Sequence, residues 1–287
     1  MVRAKSTRPA PVKKKAAAKP VRRATQRKAK KKPQRQMPSW LRYVIAGLIA
    51  FLFLAAFFYF FIRPYSYRWK PCYGFKAYGV CMPSGFQVHG IDVSHYQGNI
   101  DWKMLTQTRQ GKFPIHFVFM KASEGGDYGD KAFITNFDSA KTHGFIRGAY
   151  HFYNPKTDPI RQADFFINSV KLDSGDLPPV LDIEKRGKDE NQLRRDLKLW
   201  LDKIEQHYKV KPILYTSYKF KTRYLNDSVF NSYPYWIAHY YVDSVKYEGK
   251  WHFWQHTDVG NVPGIEEEVD LNVFNGTLEE LVGMTLQ

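Results

Sequence analysis

The sequence contains a run of 20 uncharged, mostly apolar residues, YVIAGLIAFLFLAAFFYFFI, at positions 43–62. As a helix with a rise of about 1.5 Å per residue, this run would be roughly 30 Å long, which matches the hydrocarbon thickness of a bilayer. Aromatic residues lie at or beyond both ends of the run: Trp40, Tyr43, Tyr59, Tyr65, Tyr67 and Trp69. The run therefore predicts one transmembrane helix with an aromatic belt at each membrane surface.

Residues 1–42 contain 16 of the 44 lysines and arginines and no acidic residue. The rest of the chain has 28 basic and 27 acidic residues, so the net charge of +17 belongs almost entirely to this arm. Because the arm is rich in Ala, Pro and Lys, we expect it to be disordered. The positive-inside rule predicts a cytoplasmic arm and places residues 63–287 beyond the inner membrane, in the periplasm or outside the cell. The balanced charge of the remainder argues against a nucleic-acid partner.

The alternative to an uncleaved anchor is a cleaved signal peptide, whose apolar region usually has about 7–15 residues and ends at small residues. The run at 43–62 is longer and ends in large aromatic residues, which favours the anchor. Two roles for the arm stay open. It could only fix the topology, or it could also bind anionic lipids or nucleic acid on the cytoplasmic side.

Cys72 and Cys81 are the only cysteines, and both follow the apolar run within CYGFKAYGVC. A short loop with glycines, in an oxidising compartment, favours a disulfide between them, and the alternative is two free thiols. Residues 63–87 are rich in Tyr, Gly and Pro and are predicted to form a juxtamembrane stalk or a small hairpin, which this disulfide would close.

Short runs rich in β-branched and aromatic residues alternate with helical segments over residues 88–287. Strands are predicted at 89–96, 117–123, 145–153, 178–184, 212–217, 233–240, 251–257 and 269–274. Helices are predicted at 101–110, 130–143, 158–171 and 189–208. Helices between the first five strands, and few after them, predict an α/β fold, an irregular (β/α) TIM-like barrel of about eight strands.

The segment PPVLDIE ends the fourth predicted strand with two acids, Asp182 and Glu184. Residues i and i+2 of a strand point to the same face, so both carboxylates would lie opposite Ile183. Asp92 on the first strand and Asp270 at the start of the last have similar positions. Buried acids are costly unless they are paired or functional, and barrel enzymes have their active sites at strand ends. We therefore interpret the Asp182–Glu184 pair as catalytic.

Aromatic and histidine residues occur near the predicted strand ends: Tyr96, Tyr150, His151, Tyr153, Tyr215, Trp236, Tyr240 and Trp254. Aromatic faces beside hydrogen-bonding groups suit a sugar ring, which has apolar faces and a polar rim. We predict that Tyr96 and His151 are among the residues that contact the substrate. Two carboxylates in an aromatic cleft are what glycoside hydrolysis requires.

Eight segments between about residues 88 and 275 resemble, in order, the motifs of glycoside hydrolase family 25: GIDVSHYQGNIDW, KASEGG, GAYHFY, PVLDIE, YTS, WIAHY, WQHT and VDLNVF. This resemblance implies an irregular eight-stranded βα-barrel. It also implies a lysozyme-type muramidase that cleaves the β-1,4 bond between N-acetylmuramic acid and N-acetylglucosamine in peptidoglycan. The resemblance does not extend to the arm, the apolar run or the cysteine loop.

The resemblance also implies roles for individual residues. Glu184 would be the general acid and base, and Asp182 would support the substrate's own 2-acetamido group as the nucleophile, which retains the anomeric configuration. Asp92 and Asp270 match two further acids of the family's cleft, and like charges near Glu184 would raise its pKa. Four residues match positions that contact substrate: Tyr150, Tyr215, Trp236 and Gln255.

No metal or other cofactor is expected. The nine histidines include no pair at a metal-ligand spacing such as HExxH, and there is no G-x-S-x-G or glycine-rich phosphate loop. The alternative function is a peptidoglycan-binding protein that uses the same barrel without catalysis. The intact acid pair favours the enzyme.

Overall fold

The computed structural model describes residues 37–63, 72 and 74–287. The predicted disorder of residues 1–36 and the aromatic positions Tyr65, Tyr67 and Trp69 lie outside the described residues. The chain divides into two units, with the division between Phe61 and Ile62.

The first unit contains helix α1, Ser39–Phe57, which continues as a π-helical turn at Phe58–Ile62. None of the side chains of α1 is buried, although nearly all of them are apolar. Within the part of the chain that the structure describes, Ser39–Ile62 is the one helix long and apolar enough to cross a membrane. An anchor and a signal sequence both fit such a helix.

The second unit begins with a disulfide-closed hairpin, made of β1 (Lys76–Ala77) and β2 (Val80–Cys81). Of the two forms predicted for this segment, residues 74–87 have the small hairpin, and they pack on the barrel. Met82 is buried in the main core, and the ring of Phe86 lies 5.8 Å from that of Trp254. The hairpin covers strands near the chain's end, where helices are few, so the barrel unit begins before the predicted boundary at residue 88.

Eight strands form a closed barrel. They are β3 (Val88–Val93), β4 (Ile115–Glu124), β6 (Ile146–Phe152), β7 (Val180–Asp182), β8 (Ile213–Ser217), β9 (Tyr235–Ala238), β10 (Phe253–Gly260) and β11 (Val269–Phe274). The short strand β5, Tyr128–Gly129, pairs with the end of β4 outside the barrel. The predicted (β/α) barrel is confirmed. All eight of its strands belong to one closed sheet.

Helices cover the outer face of the barrel. They are α2 (Trp102–Thr106), α3 (Phe133–Thr142), α4 (Pro159–Ser169), α5 (Glu190–Tyr208), α6 (Tyr218–Tyr224) and, at the chain's end, α7 (Leu278–Gly283). The sequence-based prediction did not include α6 or α7. Both are short, with an apolar pattern of only one or two turns, so their periodicity is a weak signal.

One strand, β11, runs antiparallel to both of its neighbours, while all other barrel pairs are parallel. The first residues of β11 therefore lie at the same end of the barrel as the last residues of the other strands. We call this the open end. The opposite end, where Val88 and Phe274 pair, is called the closed end.

The barrel interior is filled with apolar side chains, among them the rings of four phenylalanines. Gly90 and Gly148 face this interior, and a Cβ at either position would overlap the ring of Phe117 or Phe119. Glycine thus makes room for the aromatic rings on the neighbouring strand β4. Leu281 of α7 belongs to the same cluster, so the C-terminal helix closes the barrel at the closed end.

Candidate active site

A cavity of about 260 Å³ lies at the open end of the barrel. All four predicted acids line it: Asp92, Asp182, Glu184 and Asp270. So do five of the six residues predicted to contact substrate: Tyr96, Tyr150, Tyr215, Trp236 and Gln255. Residues from seven different strands, far apart in the sequence, are thus brought to one concave site.

The acids meet because strand side chains alternate between the two faces of the sheet. Leu181 and Ile183 pack in the core outside the barrel, so Asp182 and Glu184 face the cavity. Asp270 is the second residue of the antiparallel strand β11, and it pairs directly with Asp92 of β3. The reversed direction of β11 is what brings an acid from the start of a strand to the open end.

Asp182 is a buried carboxyl group with one oxygen that has no hydrogen-bond partner. Its side chain is 6 % exposed, and its Oδ1 accepts no hydrogen bond from any described group. Burial raises the pKa of Asp182 well above the ordinary carboxyl value, and repulsion from Glu184 and Asp92 raises it further. A partner that brings a hydrogen-bond donor or a positive charge into the cavity would relieve both costs.

Glu184 is the most accessible of the four acids, and its carboxylate has no hydrogen bond or ion pair among the described residues. The cavity walls partly desolvate the carboxyl group, and this burial raises the pKa of Glu184 above its usual value. Lys185 and Lys121 act in the opposite direction and lower the pKa of Glu184. Repulsion between Glu184 and the other acids raises the pKa values of Asp92, Asp182 and Asp270.

Asp92 is fixed by a hydrogen-bond network below the cavity. Its Oδ2 accepts bonds from Gln255 Nε2 at 2.8 Å and from Asn272 Nδ2 at 2.7 Å. The hydroxyls of Tyr215 and Tyr240 each donate to Gln255 Oε1 at 2.6 Å, which orients the amide with its NH₂ towards Asp92. Asp92 is therefore held as an acceptor.

Burial is also the main cause of raised pKa values at Asp92 and Asp270, and their mutual proximity raises the pKa of Asp270 further. The hydrogen bonds from Asn272 and Gln255 act in the opposite direction and lower the pKa of Asp92. Four carboxyl groups with raised pKa values around one cavity are the electrostatic pattern of a functional site.

Aromatic rings form the apolar part of the cavity wall. The indole of Trp236 stacks on Phe119 with ring centroids 4.4 Å apart, and its Nε1 donates to Asn272 Oδ1 at 2.8 Å. Tyr215 packs edge-on against Trp236 at 4.5 Å. Because each ring is fixed by packing and a hydrogen bond, the wall is rigid.

His151 does not belong to the site, so its predicted substrate contact is wrong. It lies between Tyr150 and Phe152, which face the cavity, and alternation therefore turns it to the outer layer. There it is fully buried, with its ring nitrogens 2.8 Å from Ser123 Oγ and 3.1 Å from Gln162 Oε1. It packs beneath the helices and has a structural role.

Sequence reasoning missed several residues of the site. Lys121 and Phe152 line the cavity, and Asn272 orients both Asp92 and Trp236. Asn272 follows Asp270 by two positions, so the same alternation that paired the other acids could have found it. Lys121 had no comparable signal, because a lysine at a strand end usually points to solvent.

No group of three or more His, Cys, Asp or Glu in the described part of the chain is arranged to hold a metal ion. The site is therefore made of carboxyl, amide, hydroxyl and aromatic groups. Such a set can bind a polar ring and exchange protons with it.

Comparison with known proteins gives consistent matches over the barrel. The family model "Glycosyl hydrolases family 25" matches residues 91–265. An Escherichia coli protein, YegX, is 40% identical over 219 residues, which cover 76% of this chain and 79% of YegX. Lysozyme M1 of Streptomyces globisporus is 33% identical over 218 residues, covering 69% of this chain and 71% of that one.

Among solved structures, a family 25 glycosyl hydrolase from Bacillus anthracis is similar, with a TM-score of 0.64 and 32% identity. The match covers 70% of this chain and 94% of that one. The acid pair at the open end, the antiparallel last strand and these matches agree with one another. The chain belongs to glycosyl hydrolase family 25.

Proposed function

We propose that this protein is a lysozyme-type muramidase that cleaves the β-1,4 bond between N-acetylmuramic acid and N-acetylglucosamine in peptidoglycan. One observation carries the proposal: Asp182 and Glu184 face one cavity, and each has a raised pKa because it is desolvated there. The family includes proteins named as lysozymes, such as Lysozyme M1, which supports the same substrate class.

Glu184 is proposed as the general acid and base. A carboxyl group with a raised pKa stays protonated at higher pH, so it can give its proton to the leaving glycosidic oxygen. Because no described group is bonded to Glu184, its carboxyl is free to rotate between the leaving oxygen and an incoming water. After the first step it is ionised and can take a proton from that water.

Asp182 is proposed to support the 2-acetamido group of the sugar as the nucleophile. The acetamido oxygen attacks the anomeric carbon, and the acetamido nitrogen becomes positively charged as the ring closes. The free Oδ1 of Asp182 can accept the N–H of this group. The developing charge lowers the pKa of Asp182, so a carboxylate that is costly in the empty site is stabilised in the transition state. Two displacements at one carbon retain its configuration.

Asp92 and Asp270 are proposed to hold the sugar, together with the aromatic wall. Asp92 is oriented as an acceptor by Gln255 and Asn272, so its remaining oxygen can accept a sugar hydroxyl. Trp236 and Tyr215 are almost wholly buried and form the packed aromatic floor of the cavity beneath the sugar. Tyr96, which is 73% exposed at the rim, can contact a sugar further along the glycan strand.

We further propose that α1 is an uncleaved anchor in the inner membrane, with the basic arm in the cytoplasm and the barrel unit on the other side. Supporting observations are the length and apolar surface of Ser39–Ile62 and the positive charge that precedes it. Proteolysis of intact spheroplasts should degrade the barrel unit. Protection of the barrel until the cells are lysed would contradict this orientation.

The function is tested by digesting purified peptidoglycan with the full chain in detergent and analysing the fragments by mass spectrometry. Fragments with muramic acid at the reducing end are expected. Glu184→Gln should still sediment with peptidoglycan and release no fragments. Intact glycan with the wild-type chain at every pH between 4 and 8 would contradict the proposal and favour a binding protein.

A further inference from the structure

A second cavity, of about 400 Å³, lies beside the candidate active site. The two cavities share Tyr96 and Lys121 as common walls. The second cavity lies over loops that follow β3, β4 and β6, to one side of the barrel mouth. A ligand held in the active site could therefore extend directly into it.

Lys121 is the boundary between the two cavities. Its Nζ lies 2.7 Å from Glu124 Oε2, on the side of the second cavity. The same ammonium lies 4.8 Å from the ring centroid of Phe152, on the side of the active site. With only 9 % of its surface exposed, Lys121 is fixed in this wall and does not extend into solvent.

Polar side chains of both signs and a histidine line the second cavity, each beside an ion-pair or hydrogen-bond partner, and two of these partners, Arg161 and Asp130, lie behind the lining. Lys121 pairs with Glu124, and Asp127 lies 3.3 Å from Arg161. His95 Nδ1 is 2.7 Å from Asp130 Oδ2, whose side chain is fully buried. The cavity therefore presents acceptors and donors in near balance. Tyr128, which is 43% exposed, adds an aromatic surface.

A neutral sugar carries no charged group that could interact with this lining. Acetylated amino sugars present hydroxyl and acetamide groups and no ions, and the aromatic wall of the active site already suits them. The muramic acid of peptidoglycan, in contrast, carries a peptide on its lactyl group. That peptide has amide, carboxylate and amine groups, which match paired charges of both signs.

We propose that the second cavity binds the peptide stem of the muramic acid whose glycosidic bond lies in the active site. This inference rests on the proposed muramidase function and deepens it, because it makes the enzyme selective for glycan that still carries its peptides. The loop at Gly125 and Gly126 lines the cavity without side chains, so the stem can pack closely against the half-buried Gly126, while the N–H of Gly125 already donates to Phe152 O at 3.2 Å.

The test compares two glycan substrates that differ only in the stem. One keeps its peptides. In the other an amidase has removed them, and the lactyl carboxylate is capped as a simple amide. The full chain in detergent should show a higher kcat/KM on the stem-bearing glycan. The same comparison is made by calorimetric Kd with Glu184→Gln, so that binding is measured whether or not cleavage occurs.

Two variants alter the second cavity without touching the active site. Thr157→Trp fills it, and Tyr128→Ala removes part of its wall. Each should reduce the preference for stem-bearing glycan about fivefold, which corresponds to one or two lost contacts. Thr142→Trp is the matched control, because Thr142 is an exposed residue at the end of α3, outside both cavities.

The outcomes separate the inference from the proposed function. A lower preference in both variants, with the control unchanged, supports a stem site. Equal losses on both glycans would show that the cavity binds the next sugar, and an unchanged preference would show that it binds neither. Either result overturns the inference while leaving the muramidase intact. Absence of cleavage with a stem-dependent Kd would contradict the proposed function and support the stem site.

Discussion

The open and closed ends of the barrel are built from the same strands. They differ in whether the side chains that point inward are apolar and packed together, or polar and arranged around a cavity. At the closed end, Val88, Phe253 and Phe274 pack with Leu281 in an apolar cluster. At the open end, the same strands carry acids, amides and tyrosines around a cavity. Burial stabilises the closed end, because apolar surface leaves water there.

Burial has the opposite effect at the open end. Asp182 is buried without a hydrogen bond to its Oδ1, and four carboxyl groups share one cavity. Each desolvated carboxylate costs free energy that the closed end must offset. The four carboxyl groups destabilise the folded state and still converge on one cavity. A catalytic or binding role explains why they are there. Variants at the two ends should therefore separate activity from stability.

The largest effect is expected from Glu184→Gln at the open end. Losing a general acid and base should reduce kcat/KM on peptidoglycan by about 10²–10⁴. The unfolding midpoint should barely change, since the Glu184 carboxylate has no described bonding partner. Turbidity assays and thermal denaturation measure the two effects. A large loss of stability would mean that the carboxylate is structural.

Leu281→Ala at the closed end should do the reverse. Removing a fully buried leucine should cost about 2–5 kcal/mol of unfolding free energy. At a temperature where the variant is folded, kcat/KM should match the wild type. Val282→Ala is the matched control, because its side chain is 51% exposed on the same helix. A loss of activity in folded Leu281→Ala would show that the two ends are coupled.

Asp182→Asn should raise the free energy of unfolding and also lower the activity. Because burial raises the folded pKa of Asp182, the folded state binds this proton more tightly than the unfolded state. The cost of Asp182 is therefore absent at low pH and grows as pH rises above the ordinary carboxyl pKa. The variant should gain about 0.5–2 kcal/mol at pH 7 and little at pH 3. Denaturation at both pH values checks this, and destabilisation at pH 7 would contradict it.

The smallest effect is expected from Lys185→Gln. Lys185 lowers the pKa of Glu184, so removing its charge should raise that pKa. Glu184 would stay protonated to higher pH, and the alkaline limb of the kcat/KM–pH profile should move upward with the maximal rate unchanged. Lys171→Gln, at an exposed position after α4, is the control. A downward shift would mean that Glu184 is not the titrating acid.

The sequence predicted features correctly where they follow from the alternation of side chains between the two faces of a strand. The two-residue spacing of Asp182 and Glu184 was sufficient to put both on one face, and β-rich runs were sufficient to indicate a barrel. The same alternation, applied to GAYHFY, would have predicted that His151 points away from the cavity that Tyr150 and Phe152 face. The error came from judging His151 by its type and not by its position.

Features that depend on distant partners could not be predicted. The antiparallel direction of β11 depends on its pairing with β3 and β10. The sequence could not decide whether residues 74–87 form a stalk or a hairpin, because Phe86 gives no sign of its contact with Trp254, far along the chain. Lys121 gave no sign of its place between two cavities. In each case the information lies in tertiary packing.

The central claim is that Glu184 gives a proton to the leaving sugar oxygen while Asp182 supports the nucleophile. Release of 2,4-dinitrophenolate from its N-acetylmuramic acid glycoside tests this most directly, because that leaving group needs no proton. In single-turnover measurements, Glu184→Gln should lose far less activity on this substrate than on peptidoglycan, and Asp182→Asn should lose a similar factor on both. Equal losses on both substrates for Glu184→Gln would contradict the assignment.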